Sequence, residues 1–368
     1  MTLYILDNKN TIMYTNKSII TIIMEKVKQK KEEDVKNMMV LGADLGWVSQ
    51  LESRGIRWID DDGNQIDPLL AVKNMGANTV RLRVYVNPPK EAFWQKKDGT
   101  VCMLGFADAD SVLKMAKRVK TMDMQLIIDF HYSDHFADPI YQDIPEEWKD
   151  EDAEGLKGRV YDHTKEVLTL LTGNDIYPEW VQVGNEINPG ILLPYGGLKE
   201  NPKNLVEFLN AGYDAVKECC PNCKVITHLA GPYKAEWCEP FLDNFFQSGG
   251  KTDVMGFSHY PYWFKVEQST EYLLEHLRRY EKKYPKPIMI CEVGGPEEDA
   301  ELTYQLLINT VEALRELPDG KGLGVVYWEP EVGAALLPDK YPLGAARLVD
   351  EYILQFTNAL SAYKDCIQ

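Results

Sequence analysis

The chain has 368 residues, of which 45% are hydrophobic, and its formal net charge is −17. This length and composition provide for a sizeable buried core. The negative charge disfavours nucleic acid and anionic membranes as partners, because both bind basic surfaces, and it is compatible with a neutral ligand such as a sugar.

The first 37 residues differ from the rest of the chain. Residues 26–36 mix both charges without an apolar pattern, which predicts a solvated helix or tail. We therefore predict a peripheral arm over residues 1–37 and one folded domain over residues 38–368. Residues 18–24 are apolar but lack the cleavage site of a secretory signal, and no apolar run reaches the ~18 residues of a membrane span. A cytoplasmic location is expected, with secretion left open.

From residue 38 onward, short apolar runs alternate with amphipathic stretches. Eight runs predict strands buried on both faces, at 39–43, 79–86, 125–131, 180–185, 224–230, 254–259, 287–291 and 322–328. Helices are predicted between and after them, over 67–76, 110–121, 158–171, 204–218, 236–246, 271–284, 300–317 and 346–363. Eight strands that are each followed by a helix indicate an α/β fold, a single (β/α)8 TIM barrel. A doubly wound sheet is disfavoured, because no glycine-rich phosphate loop follows the first strand.

Ionisable and aromatic side chains gather where the predicted strands end. The active site of such a barrel is built at the carboxyl ends of its strands, whereas the strand middles are expected to stay apolar. The side chains there that we expect to support or bind a substrate are Trp47, Arg83, His131, Asp134, Asn185, His259, Tyr260, Trp263 and Trp328.

Two glutamates stand out among these strand ends. Glu186 ends the fourth strand and Glu292 ends the seventh. Hydrolysis of a glycosidic bond with retention needs two carboxyl groups about 5–5.5 Å apart, one protonated to assist the leaving oxygen and one ionised to attack the anomeric carbon. We predict Glu186 as the acid/base and Glu292 as the nucleophile, with Arg83 as the cation that keeps Glu292 ionised.

Neighbouring strand ends add three roles to this pair. Tyr260 is expected to donate a hydrogen bond to the Glu292 carboxylate, Asn185 to hold the sugar 2-hydroxyl, and Trp328 to form the floor of the sugar site. A lone strand-end glutamate more often caps a helix or pairs with an arginine. The pair with its flanking Asn, Tyr and Arg favours catalysis.

Metal sites are weaker hypotheses. The segment 131–138 holds a cluster in which His131 and His135 could ligate zinc, but no H-x-H stands on the first strand. Four cysteines, at 219, 220, 223 and 238, lie close in sequence without a standard zinc spacing, and reduced thiols are expected. No metal and no cofactor are therefore expected.

Several segments together resemble glycoside hydrolase family 53, the arabinogalactan endo-β-1,4-galactanases. The matching segments run in order from about residue 40 to 330: GAD at 42–44, RLRV at 81–84, DFHYSD at 129–134, QVGNEIN at 182–188 and YWEP at 327–330. The resemblance implies a retaining hydrolase that cleaves β-1,4-galactan, a pectin side chain, or galacto-oligosaccharides. The implied partner is a neutral β-linked oligo- or polysaccharide.

The chain departs from this family pattern at three places. His135-Phe136 stand where the family usually has Thr-Trp, and Leu193 stands in the place of a tryptophan, so two expected sugar platforms are changed. The segment after Trp328 is short, so the long final loop that carries calcium in some members is expected to be absent. Another β-glycanase, of mannanase or glucanase type, and a non-catalytic sugar-binding barrel stay open as alternatives.

Overall fold

The computed structural model describes residues 3–7, 10–14 and 39–367, which belong to two compact units divided after Met39. In the first unit, strand β1 (Leu3–Asp7) pairs antiparallel with β2 (Asn10–Tyr14) in a hairpin. The solvated helix or tail that the sequence predicts over residues 26–36 lies outside the described residues.

The second unit is built on eight parallel strands that close into a barrel, as the sequence predicts. These strands are β3 (Val40–Asp44), β6 (Thr79–Val84), β9 (Gln125–Phe130), β10 (Trp180–Val183), β13 (Lys224–Ala230), β14 (Val254–His259), β15 (Ile288–Val293) and β16 (Gly322–Tyr327). Each pairs with the next in chain order. The last strand, β16, returns to the first, with Val325 opposite Leu41, which closes the (β/α)8 barrel.

Helices connect the barrel strands. They are α1 (Val48–Ser53), α2 (Pro68–Asn74), α3 (Ala109–Thr121), α4 (Ala153–Thr172), α5 (Pro202–Cys219), α6 (Ala235–Gln247), α7 (Pro261–Phe264), α8 (Thr270–Lys283), α9 (Ala300–Arg315) and α10 (Ala362–Ile367). Five of them begin directly after a residue whose side chain accepts a hydrogen bond from a backbone N–H of the first turn. Such a residue is the usual signal for a helix start. These N-cap residues are Asp67, Asp108, Asp152, Ser269 and Asp299.

The barrel interior changes character along its axis. Its apolar layer is formed by Val40, Ile127, Ile226, Val254, Met289, Cys291 and Val326. Two residues beyond Ile127, Ile226 and Trp180, which packs against this layer, the side chains on the same face of each strand are polar and buried. They are Asp129, Gln182 and His228. The expectation of apolar strand middles is therefore wrong for the upper half of the barrel, where polar groups fill the interior.

The predicted helix over residues 346–363 is wrong. Its first part forms a hairpin of β17 (Ala346–Asp350) and β18 (Ile353–Phe356), and helix α10 covers the end of the chain. Strand β18 joins β4 (Arg57–Ile59), and β5 (Gln65–Ile66) completes a four-stranded sheet. Apolar residues in this segment fit a helical period as well as a strand. Pairing with β4, which is distant in sequence, decides the outcome.

Two of the loops that follow barrel strands contain short hairpins. Strands β7 (Phe93–Gln95) and β8 (Val101–Met103) form one after β6. Strands β11 (Gly190–Ile191) and β12 (Gly196–Gly197) form another after β10. All seven cysteines lie within residues 39–367, and each is a free thiol. No helix in the described part of the chain is long and apolar enough to cross a membrane.

Helix α10 rests against a glycine, which generates a stability prediction. Gly76 has φ +104°, and an added Cβ would lie 2.6 Å from the Lys364 nitrogen and 2.8 Å from the Tyr363 carbonyl carbon. We expect Gly76→Ala to lower the free energy of unfolding by about 2 kcal/mol or more, because this overlap adds to the strain of a left-handed backbone. Urea denaturation measures the loss.

Gly63→Ala is the matched control. Gly63 has φ +80°, but nothing lies within 4 Å of an added Cβ. Only the left-handed strain of roughly 1–2 kcal/mol remains there. Equal losses in the two variants would show that the contact with α10 does not constrain Gly76.

Candidate active site

Glu186 stands just beyond β10 at the mouth of the barrel. Its φ is +48°, in the left-handed region, and Gly184 two residues earlier has φ +82°. A non-glycine residue adopts such a φ only where its surroundings enforce it, and such residues concentrate at functional sites. Tyr132 and Glu329, which follow β9 and β16, share a φ of +48°. The chain therefore turns sharply as it leaves these three strands.

Glu292 lies within β15, and both oxygens of its carboxylate are held. Arg81 Nη2 donates to Oε1 at 2.7 Å, and the Tyr260 hydroxyl donates to Oε2 at 3.0 Å. The Glu292 side chain is only about 7% exposed. A charged donor and a fixed hydroxyl therefore hold this carboxyl group in one orientation. The predicted contact between Tyr260 and Glu292 is present.

The cation beside Glu292 is Arg81, and the prediction of Arg83 is wrong. Arg83 instead forms an ion pair with Glu329 and donates to the Leu104 carbonyl oxygen, at 2.8 Å from Nη2. The two arginines stand two residues apart on β6, so they share a face of the strand. The sequence spacing gives that face but not which of the two side chains reaches across the barrel.

The two glutamates meet opposite electrostatic surroundings. Burial raises the pKa of Glu186 well above its usual value, and the negative charge of Glu292 raises it further. Glu292 has the Arg81 guanidinium at hydrogen-bond distance. Glu186 is thus favoured as the acid, while Glu292 has a cation beside it, an arrangement that suits acid-assisted nucleophilic displacement.

Trp328 is half-buried at the mouth, within a group of aromatic rings. Its ring centroid lies 5.1 Å from Trp47, 4.6 Å from Tyr341 and 6.0 Å from Phe136. Trp47 is buried, and its Nε1 donates to the Met103 carbonyl oxygen at 2.7 Å. Trp47 therefore supports Trp328 from behind. Trp328, by contrast, is partly exposed at the mouth.

The predicted residue Trp263 lies further out, 49% exposed, with its ring 6.3 Å from Tyr341. Three other predicted residues, His131, Asp134 and His259, lie at the mouth and contact or pack against other parts of the protein. His131 contacts Asp129 through Nε2, at 3.0 Å, and accepts a backbone N–H through Nδ1. Asp134 accepts hydrogen bonds from two backbone N–H groups, that of Asn87 in the loop after β6 and that of Glu146. His259 is buried, which lowers its pKa to about 3, so that it stays neutral.

Sequence reasoning missed the polar residues inside the barrel. Arg81 donates to Asp44 at 2.7 Å and to Gln182 at 2.9 Å, besides its contact with Glu292. Gln182 in turn donates to the Asn185 side chain at 2.8 Å. A signal was present, because a charged or amide side chain interrupts an otherwise apolar strand run at these positions. The loop residue Tyr341 carried no such signal.

The cluster considered for a metal is engaged otherwise. His135 stacks on Trp94, with centroids 3.9 Å apart and planes 7° apart, and does not join His131. Asp138 accepts the backbone N–H groups of Ile140 and Tyr141. Within residues 39–367, no group of three or more His, Cys, Asp or Glu side chains is arranged to hold a metal ion.

Comparison with known proteins gives a consistent result. A sequence model described as Glycosyl hydrolase family 53 matches residues 40–363. An arabinogalactan endo-β-1,4-galactanase of Cellvibrio japonicus is 30% identical over 327 residues, which cover 79% of this chain and 80% of that protein.

Two solved structures share the fold closely. The family 53 catalytic domain of Ignisphaera aggregans superposes with a TM-score of 0.76 at 26% identity, covering 89% of this chain and 95% of that one. A fungal β-1,4-galactanase superposes with a TM-score of 0.75 at 25% identity, covering 89% and 99%.

The raised pKa of Glu186 predicts a stability effect with a defined sign. Above the ordinary glutamate pKa the unfolded chain ionises this group, whereas the folded chain retains the proton, so stability falls as the pH rises toward the folded pKa. Glu186→Gln is always neutral. We therefore expect it to raise Tm at pH 7 by about 2 °C, with no gain near pH 4. Thermal unfolding across this pH range measures the difference.

Glu292→Gln is the matched control, with the opposite sign. It removes the anion beside the buried Arg81 guanidinium, and leaving a buried charge unpaired is destabilising. A gain of stability at pH 7 in both variants, or in neither, would contradict the opposite environments of the two carboxyl groups.

Proposed function

The chain belongs to glycosyl hydrolase family 53, and we propose that it hydrolyses β-1,4-linked galactan or galacto-oligosaccharides with Glu186 as acid/base and Glu292 as nucleophile. Family membership makes it a retaining glycoside hydrolase. The similarity to β-1,4-galactanases supports this choice of sugar. The observation that carries the roles is the contrast between Glu292, held by Arg81 and Tyr260, and Glu186, whose pKa is raised by desolvation of its carboxyl group and by the Glu292 charge.

In the first step, Glu292 attacks the anomeric carbon of the galactosyl unit as the bond to the leaving oxygen breaks. Glu186 transfers its proton to that oxygen, so the shortened chain leaves as a neutral alcohol. The product is a galactosyl ester on Glu292. Arg81 and Tyr260 hold the carboxylate in place before attack, and they take up part of the charge that returns when the ester is cleaved.

In the second step, water replaces the leaving chain. Glu186, now ionised, takes a proton from the water, whose oxygen attacks the anomeric carbon and releases the Glu292 carboxylate. Two inversions restore the β-configuration. Burial and the Glu292 charge raise the pKa of Glu186 in the first step, and esterification of Glu292 removes that charge, which favours the ionised base in the second.

The aromatic mouth is the proposed sugar-binding surface. Trp328 offers a flat ring to the apolar face of a sugar, and Trp263 extends the surface outward. Asn185, next to the acid/base, is the proposed partner of the sugar 2-hydroxyl. At the positions that depart from the family pattern, Phe136 lies under the Arg83 guanidinium at 4.9 Å and His135 covers Trp94. These contacts change the rim while leaving the catalytic pair in place.

Substrates with different leaving groups test the acid role. We expect Glu186→Ala to lose most of its activity on galactan, by about 100-fold or more, but to retain activity on an aryl β-galactobioside whose phenol leaves without protonation. Initial rates on both substrates measure this. Glu292→Ala is the comparison, because loss of the nucleophile should abolish both. An equal loss of both activities in Glu186→Ala would contradict its role as the acid.

Arginine replacements test which cation serves the nucleophile. Arg81→Lys keeps the charge but cannot reach Asp44, Gln182 and Glu292 together, so we expect kcat to fall by about 100-fold or more. Arg83→Lys is the matched control on the same strand and should cost less, because Arg83 contacts Glu329 and the Leu104 carbonyl. A larger loss of kcat in Arg83→Lys would contradict the assignment.

Product release from purified polysaccharides tests the activity itself. We expect galacto-oligosaccharides from β-1,4-galactan and no release from β-mannan or β-glucan. Turnover of mannan or glucan alone would keep the mechanism and replace the substrate. Glu292→Gln is the control that shows that any release depends on this active site. Binding of galactan without hydrolysis by the wild-type enzyme would contradict the catalytic proposal.

A further inference from the structure

Two glutamates that the catalytic steps do not use lie buried beside the aromatic mouth. Glu329 directly follows Trp328, and Glu331 lies two residues further along the chain. Both glutamates are 0% exposed. The Trp47 backbone N–H donates to Glu329 Oε2 at 3.1 Å and to Glu331 Oε1 at 3.2 Å. Two oxygens that accept from one N–H lie on the same side of it, so the two carboxyl groups meet there.

The two carboxyl groups have unequal partners. Glu329 forms an ion pair with Arg83 and accepts a second backbone N–H, that of Gly46, at 3.1 Å. Glu331 Oε1 shares the Trp47 N–H, and Glu331 Oε2 has no hydrogen-bond partner in the part of the chain that the structure describes. One guanidinium therefore stands against two buried acids. Its charge is taken up by Glu329, and Glu331 has no ion pair of its own.

Glu331 is more stable as the neutral acid. A carboxylate that has left water needs a cation or several donors, and two carboxyl groups that meet in a dry site cannot both ionise. Burial raises the pKa of Glu331 well above the usual value, and the negative charge of Glu329 raises it further. The pair therefore keeps one proton, on the member without a cation.

Several other charged or titratable groups act on this pair. Arg83 lowers the pKa of Glu331, and Asp44, Tyr85 and Tyr341 interact with Glu329. All four are the same in every variant below. A change in titration or in sugar binding on replacing Glu331 therefore reports on Glu331 itself.

The pair holds the backbone that supports the sugar-binding ring. Gly46 and Trp47 lie between β3 and α1, and the carboxyl groups accept both of their backbone N–H groups. The Trp47 ring centroid lies 5.1 Å from that of Trp328. The main chain of Glu331 is itself fixed, because Trp58 Nε1 donates to its carbonyl oxygen at 2.7 Å. Contacts thus run from Glu331 through Trp47 to Trp328.

We propose that Glu331 is a positioning residue that stays protonated and donates its proton to the Glu329 carboxylate, so that the pair holds the Trp47 backbone and keeps Trp328 in place for the sugar. The inference rests on the proposed role of Trp328 as a sugar-binding surface. Ionisation of Glu331 would place two anions at one N–H with a single cation available to both, which would loosen the backbone behind Trp328.

Infrared spectroscopy tests the protonation without a substrate. The C=O stretch of a neutral carboxyl group lies at a higher frequency than the stretches of a carboxylate, so the difference between wild-type protein and Glu331→Gln reports the state of this side chain. We expect the wild-type protein at pH 7 to show a neutral-carboxyl band that Glu331→Gln lacks. A carboxylate band in its place overturns the inference.

Kinetics test the positioning role. Gln has the shape of a protonated glutamate, and its Nε2–H can replace the donated proton, so Glu331→Gln should keep KM for galactan within about twofold of the wild-type value. Glu331→Ala leaves Glu329 and the Trp47 N–H without this partner. We expect its KM to rise by about 5-fold, with a smaller change in kcat. An unchanged KM in Glu331→Ala, or a Gln variant as impaired as the Ala variant, overturns the proposal.

Glu329→Gln is the matched control for stability. It removes the anion that pairs with the buried Arg83 guanidinium, so we expect a lower Tm at pH 7. Glu331→Gln should not lower Tm. Its gain over the wild type should grow as the pH rises, because the unfolded chain ionises Glu331 while the folded chain retains the proton. Equal losses in the two variants overturn the proposal. Failure to cleave galactan, with the neutral-carboxyl band present, would count against the proposed function alone.

Discussion

The buried guanidinium of Arg81 is the constraint on which the site depends. The Arg81 side chain is 1% exposed and faces three carboxyl groups, with Asp44 and Glu292 each at 2.7 Å and Asp129 at 3.8 Å. A charge removed from water must be paired, and one cation cannot neutralise three anions. Burial raises the pKa of Asp44 well above its usual value, while His131 and Arg81 lower that of Asp129. Asp44 is thus favoured as the neutral member, which leaves the charge of Arg81 to Asp129 and Glu292.

The same guanidinium also orients polar groups in the upper half of the barrel. Arg81 donates to Gln182 Oε1, which fixes that amide, and Gln182 in turn donates to Asn185 Oδ1. Asn185 Oδ1 also contacts His228 Nδ1, and His228 Nε2 contacts Ser258 Oγ. These hydrogen bonds hold the buried amide and imidazole groups in one arrangement.

The fold could be predicted further than the site. Strand positions followed from short apolar runs between turn residues, and closure followed from their number. The hairpin at residues 346–356 could not be predicted, because its apolar residues fit either period and its partner, β4, is about 300 positions away in sequence. Glu186, Glu292 and Tyr260 could be predicted to lie at one rim because the strand ends of a barrel meet there. Arg83 was predicted instead of Arg81 because their spacing shows that both lie on one face of β6 but not which side chain extends to Glu292. Gln182 and His228 were not predicted inside the barrel because their hydrogen-bond partners, among them Arg81 and Ser258, come from other strands.

Trapping the covalent intermediate tests the central claim, that the carboxylate held by Arg81 is the nucleophile and the glutamate that follows β10 is the acid. A 2-deoxy-2-fluoro-galactoside with a good leaving group should form its ester with the enzyme faster than water can cleave it, because the fluorine destabilises the oxocarbenium-like transition state of both steps. Peptide mapping by mass spectrometry would locate the label. The account predicts one sugar per chain on Glu292, with no label in Glu292→Gln. A label on Glu186, or inactivation without an ester on either glutamate, would contradict it.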